Sequence, residues 1–391
     1  MNRATLRLIL LISCAHALVH VYELSLPSVE QNIGETYSVG KHTTGVLGSF
    51  WRIPWGFFAL AAGWLVDRYG ARRMLAIYLW GCSAACLLAG IALPLPWLFF
   101  SMFLMGACAS IYHPAGLALI THETEIDAHP RALGLHGVFG SAGIGSAPLI
   151  AWLVLDAGGT WREYYWILAL PGLLLGAIFM RHRAADGESQ PVPPTDNREI
   201  TDQHPARWSS FFTLTVMAML IGLTYSGFLH FLPRYLAGAT AHAQLDKFHA
   251  ALVLFVGCAG QYLAGRWGRR RWLEVQMILI VLLNVPCLVF LALAEGNNRF
   301  WAAGSFTLVF FMTQPIYNSL IAKYTPSRRR SLSFGFSFAM GLGFGGLGPT
   351  LAGYSPSDRV TFLAMAAIAL VAAAIGALLY VQDQRYRSQA E

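Results

Sequence analysis

Apolar residues run through this chain in stretches of about 20, separated by short polar breaks. Twelve stretches are present, at 6–29, 43–66, 73–93, 96–120, 131–155, 162–181, 209–237, 248–265, 272–294, 299–323, 331–353 and 360–381. At a rise of about 1.5 Å per residue, each is long enough to cross a hydrocarbon core of about 30 Å. Backbone groups in lipid must be satisfied within the segment, so each stretch predicts a transmembrane helix. The first begins with Arg3, Arg7 and an apolar run, and Ala15-His16-Ala17 resembles a cleavage site. Leu11-Ile-Ser-Cys14 is close to a lipidation signal. The run continues to Val29, so a first span is expected rather than a removed leader.

The break between the second and third stretches is a charged motif, Gly63-Trp-Leu-Val-Asp67-Arg68-Tyr-Gly70-Ala-Arg72-Arg73. Gly265-Arg266-Trp-Gly268-Arg269-Arg270 echoes it between the eighth and ninth. Pairing Arg68 with Arg266 and Gly70 with Gly268 sets an offset of 198 residues, about half the chain. Pro114-Ala-Gly-Leu-Ala-Leu119-Ile120 and Pro315-Ile-Tyr-Asn-Ser-Leu320-Ile321 repeat at an offset of 201. Gly137, Ser141 and Gly145 match Ser337, Gly341 and Gly345, with Pro148 and Pro349 beyond them. Small residues at every fourth position make a face that a neighbouring backbone approaches closely. The chain thus divides into halves, 1–181 and 209–391. The segment 182–208 between them, with Pro191-Val-Pro193-Pro194 and many charges, reads as a cytoplasmic linker.

Composition changes the picture little. The chain is 56% hydrophobic and 12% charged, against about 25% charged in soluble domains. The net charge of +7 does not point to nucleic acid, because the basic residues sit in the breaks between apolar runs. With the N-terminus placed inside, the inner segments hold twenty Lys and Arg and the outer loops six, with Arg52 inside a span. That bias puts both termini in the cytoplasm. All six cysteines lie within apolar runs, so no disulfide framework is expected. Cys82 and Cys86, one turn apart, read as small packing residues.

The pattern Gly63, Asp67, Arg68, Gly70, Arg72 and Arg73 resembles the signature loop of the major facilitator superfamily. Twelve spans, a repeat and a central linker agree with it. The resemblance implies an all-α polytopic membrane protein of twelve transmembrane helices in two pseudo-symmetric six-helix bundles. It also implies a gating role for this loop and for Arg266, Gly268 and Arg270. Asp67 would hold the outward-facing state by meeting the start of the eleventh helix, where a carboxylate finds a partial positive charge. The second copy has Gly265 at that position, so the latch would be one-sided. Tyr112-His113-Pro114 and Gly134-Leu-His136-Gly137 resemble the fosmidomycin-resistance-like branch. Met102 stands where drug antiporters of the superfamily carry an Arg, and Ala147 rather than Gly precedes Pro148.

A charge at mid-bilayer costs about 2.5–3.5 kcal/mol on insertion scales, so intramembrane polar residues mark function. His16, His20 and Glu23 share one face of the first helix. Their expected depths are the middle, slightly outward and the outer rim. Arg52 is a partner for Glu23 or for an anionic substrate. His113 and His136 sit toward the inner side, where they would meet below the cavity as proton-carrying groups. By the resemblance, the first, fourth, seventh and tenth helices line the cavity. That adds Tyr225, His230, Gln314, Tyr317 and Asn318. Asn284 and Gln276 are expected to bond between helices, and Trp97, Trp161 and Trp301 to anchor at the interfaces. His16, His20 and Glu23 also have donors suited to a divalent metal.

The expected function is secondary active transport by alternating access, coupled to protons, of a small organic solute or drug-like compound across the inner membrane. Alternatives are an organic anion, or a transition metal ion or its chelate. A sensor or an intramembrane metalloenzyme is a further class, opposed by the missing His-Glu-x-x-His base and the lack of a soluble domain. No cofactor, no nucleic acid and no enzymatic activity are expected. The expected partners are the small-molecule substrate, protons and the bilayer, with a monomer as the working unit.

Overall fold

A computed structural model describes residues 3–91, 94–124, 129–185, 206–239, 245–326 and 329–388. The described residues form helices and no strands. The first half contains α1 (Arg3–Tyr37), α2 (Lys41–Tyr69), α3 (Ala71–Gly90), α4 (Leu95–Glu123), α5 (His129–Asp156) and α6 (Trp161–Ala185). The second contains α7 (Trp208–Ala237), α8 (Leu245–Trp267), α9 (Leu273–Leu293), α10 (Asn298–Phe311 and Thr313–Tyr324), α11 (Arg330–Phe338 through Gly348–Tyr354) and α12 (Asp358–Ser388). Nine of these are long and apolar enough to cross a membrane as single helices, among the described residues. The other three are α2, which carries Arg52, and α10 and α11, which are broken into shorter pieces.

The predicted stretches coincide with these helices to within a few residues, with two exceptions. α12 runs on to Ser388. α1 runs on to Tyr37, past the expected end at Val29. Ser28, Glu30, Gln31 and Asn32 read as a loop because they are polar, yet Ser28 and Glu30 are buried. Glu30 and Gln31 face the other bundle, and Ser28 bonds back to the Leu24 carbonyl of its own helix. Glu23 lies 20 residues from the start of this 35-residue helix and is buried. The linker expected at 182–208 falls mostly outside the described residues.

The packing repeats between halves. α1 packs on α5 as α7 packs on α11, and α3 on α6 as α9 on α12. The bundles meet through α2 against α11, α5 against α8 and α1 against α7. Prolines mark matching breaks. Pro114 and Pro315 lack an N–H and follow the irregular turns at Ser110–Ile111 and Met312. α11 passes through a π-helical segment, Ala339–Phe344, inside its Gly-rich stretch.

The small-residue faces differ from the expected ones. Gly140 and Gly143, not Gly137, bring α5 onto α1: a methyl group at Gly143 would overlap the Ala17 carbonyl. Gly137 has nothing near it. Ser141 and Gly145 face α8 of the other bundle, with Ser141 donating to Gln261 at 2.5 Å and Gly145 against Phe255. In α11, Gly341 and Gly345 pack on Gly222 of α7 as a close-approach face should. Trp161 is another correction. It is buried and donates to Thr36 at 2.9 Å, whereas Trp97 and Trp301 are exposed as interfacial anchors are. Asn284 bonds only to Ile280 of its own helix, and Gln276 braces the Trp267 and Arg269 turn.

The bundles are locked on the face away from the termini. Glu30 of α1 accepts two bonds from Arg234 of α7, each 2.9 Å, and a third from Thr44. Ser49 and Thr350 are 2.7 Å apart, and Gly45 lies directly on Pro349. Gln31 bonds Asp246 at 3.2 Å. Toward the terminal face Leu60 of α2 lies near Gly335 of α11.

Two outcomes follow. Gly106→Val should lower the thermal midpoint, since α4 lies on the Trp51 carbonyl there and overpacking costs about 1–3 kcal/mol. An unchanged unfolding curve in detergent would contradict the packing. Glu30→Gln should loosen the far-face lock. A cysteine at Thr350→Cys should then react several-fold faster with a membrane-impermeant maleimide, and equal rates would remove Glu30 from the lock.

Candidate functional site

The intramembrane polar residues converge on one string between the bundles. His16 stacks on His136 with centroids 3.9 Å apart and an 8° interplanar angle. Its Nδ1 lies 2.8 Å from the His136 carbonyl oxygen. One turn along α1, His20 Nδ1 lies 2.7 Å from Glu23 Oε2. The other carboxylate oxygen, Oε1, accepts from Arg52 Nη1 at 2.9 Å. Arg52 lies 5.6 Å from the Tyr225 ring on α7, in the other bundle. Helical spacing on α1 aligns the first three groups, and α2 brings Arg52 alongside.

The tautomers follow from the partners. A carbonyl and a carboxylate only accept, so both Nδ1 atoms carry hydrogen. His16 Nε2 and His20 Nε2 then face each other at 3.3 Å. In neutral rings both are acceptors, and no bond forms between them. One added proton turns the contact into an N–H···N hydrogen bond.

The groups facing this pair come from several helices. α4 contributes His113, 5.6 Å from His16 and 5.9 Å from His20, and Tyr112, which donates to the Ile12 carbonyl at 2.9 Å. α5 contributes His136. α2 contributes Trp55 and Arg52, the latter through Glu23. Phe338 of α11 stacks on His113 at 5.5 Å and closes the side toward the second bundle. The expectation that His113 and His136 meet each other below the cavity changes accordingly. Both gather around His16, with ring centroids 5.6 and 3.9 Å from it. Ring nitrogens of His16, His20 and His113 lie within 4.8 Å of one another, a spacing to weigh for a divalent ion. Glu23, grouped with a metal on sequence alone, is not among them, since His20 and Arg52 occupy both its oxygens.

Other expected residues sit apart. His230 is buried against Gly48 of α2, about one turn from Arg52. Gln314 bonds Gln261 at 3.1 Å, Tyr317 bonds Ser337, and Asn318 Oδ1 has no partner. In the charged loop, Asp67 is exposed and makes no ion pair among the described residues. That agrees with a structure locked on the opposite face. Arg72 instead pairs with Glu123 at 2.8 Å, while Arg68 and Arg73 lie over aromatic rings. Gly70 has φ +84°, which lets the α2–α3 turn close. Gly268 bonds Ala264 without a positive φ, so the second copy of the loop turns differently. Gly63 has open space around it, Arg266 is exposed, and the Arg270 side chain lies outside the described residues.

Sequence reasoning passed over Glu30 and Arg234. A signal was present, since Glu30 is seven residues after Glu23 and Arg234 four after His230. Each continues a polar stripe by helical spacing.

The family described as Major Facilitator Superfamily matches residues 11–349 and 250–391. The puromycin resistance protein of Streptomyces alboniger is 31% identical over 145 residues, 37% of this chain and 27% of that protein. A probable sulfoacetate transporter of Cupriavidus necator is 24% identical over 262 residues, 62% of this chain and 59% of that protein. The matches thus span less than two thirds of these relatives' own length. Among solved structures, a bacterial homologue of the human lysosomal transporter Spinster, inward-facing and unoccupied, superposes with a TM-score of 0.78. It is 15% identical, and the match covers 98% of both chains. The human organic anion transporter MFSD10 gives 0.70 at 14% identity, covering 96% of this chain and 100% of that one. At these identities the likeness shows the fold, which is the twelve-helix arrangement described above. With nearly the whole sequence matched, the chain belongs to the Major Facilitator Superfamily, a family of multi-pass membrane transporters and not of enzymes.

Proposed function

We propose that the protein is a secondary transporter that moves a small organic solute by alternating access and couples that movement to protons. The observation that carries the coupling is the His16–His20 contact, in which two committed rings leave one vacancy for a proton. That vacancy connects through Glu23 to Arg52 and so to Tyr225 on the other bundle. A proton arriving at the pair changes the charge next to Glu23 and redistributes its hold on Arg52. The energetic link is local electrostatics acting on a contact between the two moving bodies.

The excess of basic residues in alternate loops supports an orientation with the charged loop and both termini in the cytoplasm of a protein in the inner membrane. Under that orientation the Glu30–Arg234 lock lies on the outer face. The working unit is a monomer, because each chain holds both bundles and the whole polar string. The similarity to a puromycin resistance protein and a probable sulfoacetate transporter supports an organic solute. A second reading, transport of a transition metal, draws on the spacing of the three ring nitrogens.

The test is reconstitution in liposomes with an imposed pH gradient and an internal pH dye. Drugs, organic anions and divalent metals are added in turn. The expected result is proton movement that depends on an organic solute and falls to the level of protein-free liposomes in Glu23→Gln and His20→Ala. Solute flux without proton movement would overturn the coupling. A signal driven by a divalent metal alone would select the second reading.

A further inference from the structure

We infer that the transported solute is a small organic anion, a carboxylate or sulfonate on an apolar body, bound between the bundles by Arg52 and His230. This rests on the transporter reading and names its substrate class.

Arg52 is 2% exposed and His230 is 1% exposed. Arg52 spends Nη1 on Glu23, and its Nη2 has no acceptor. Neither ring nitrogen of His230 makes a hydrogen bond of normal geometry, although the Thr44 backbone lies near one of them. Trp51 Nε1, also buried, has no acceptor either. Folded proteins leave few buried polar groups unsatisfied, so three on adjoining turns of α2 and on the α7 residue packed against it ask for an explanation.

The three groups share a chemistry. A guanidinium and an indole only donate, and a neutral imidazole offers one N–H. Arg52 and Trp51 cannot satisfy each other, because both only donate, and the one acceptor nitrogen of a neutral His230 leaves at least one of them without an acceptor. A carboxylate or sulfonate is acceptor-only, and its oxygens match the fork that Arg52 leaves half used. A cation would be repelled by Arg52. An amide would bring further donors into a site already rich in them.

Placement supports the same occupant. His230 lies on Gly48, where a side chain carbon would overlap its ring, and Gly48 is about one turn of α2 from Arg52. The glycine keeps α7 close enough for both residues to reach one ligand from opposite bundles. Tyr225 and Trp51 lie 5.6 and 6.0 Å from the Arg52 guanidinium carbon. Tyr225 in turn stacks on Phe310 at 5.5 Å. These rings offer an apolar wall beside the charge, as sites for organic solutes do.

Purified full-length protein in lipid nanodiscs is titrated with four probes of matched size: benzoate, benzenesulfonate, benzamide and benzylamine. Binding is read by the rise in thermal midpoint. Only the two anions should stabilise. Arg52→Lys keeps the charge but loses the fork, and should weaken both anions about tenfold. Glu23→Gln removes the competing carboxylate and should tighten them about tenfold. His230→Phe should weaken them and guards against a misfolded Arg52 variant. The inference falls if benzamide or benzylamine stabilises as well as the anions, if none of the four stabilises, or if all three variants bind anions as wild type does. Selective anion binding without gradient-driven flux would refute the transporter reading and leave the anion site standing. Proton-coupled flux of an uncharged or cationic solute that the anions neither bind against nor compete with would do the reverse.

Discussion

The structure turns on one buried ion pair, Glu23 with Arg52. Both groups are removed from solvent, and desolvation alone would expel either one. Breaking such a pair by removing one member costs about 3–5 kcal/mol, because the other is left charged and buried. Each member is also shared. Glu23 gives its second oxygen to His20, and Arg52 keeps a second amino group without an acceptor. A pair whose partners each have another claim on them can be rebalanced by a proton on one side or an anion on the other. That property distinguishes it from an ion pair that only pins two helices.

The rest of the fold places this pair where rebalancing matters. Arg52 comes from one bundle and Tyr225 and His230 from the other, so the pair lies where the two bundles face each other. Close approach across that surface depends on residues without side chains. Gly48 admits His230, Gly45 admits Pro349, and Gly56 meets the π-helical segment of α11 at Gly343. Helices in lipid gain little by burying apolar surface against one another, and close backbone packing supplies the attraction instead. Smooth contacts of that kind also slide more easily than interlocked large side chains. The far-face lock of Glu30, Arg234 and Thr44 then holds one end of the interface, while Asp67 on the other face makes no ion pair among the described residues.

Much of this was legible in the sequence. Apolar run length set the twelve helices, because a bilayer imposes one length on every crossing. The matched loops, prolines and glycines exposed the duplication, and the i, i+4, i+7 spacing of His16, His20 and Glu23 put them on one face. Glu23 and Arg52 could be named as partners because two opposite charges inside a membrane seldom stay apart. Polarity misled at the end of α1, where buried residues facing a second bundle look like a loop. In α5 the small-residue face meets α8 through Ser141 and Gly145, while Gly140 and Gly143, which the spacing did not single out, make the contact with α1.

The sequence by itself therefore determined whatever depends on the membrane as a solvent: the number of helices, their lengths, the repeat and the presence of costly polar groups. Only the tertiary structure decided which groups touch. α4 places His113 beside His16. The bond to the His136 carbonyl fixes the His16 tautomer, and the lie of α7 on Gly48 sets His230 one turn of α2 from Arg52. These outcomes depend on relative helix rotation and tilt, to which a one-dimensional pattern of apolar positions is blind. Lipid makes the same demand of every outward face, whereas each inward face answers to one particular neighbour.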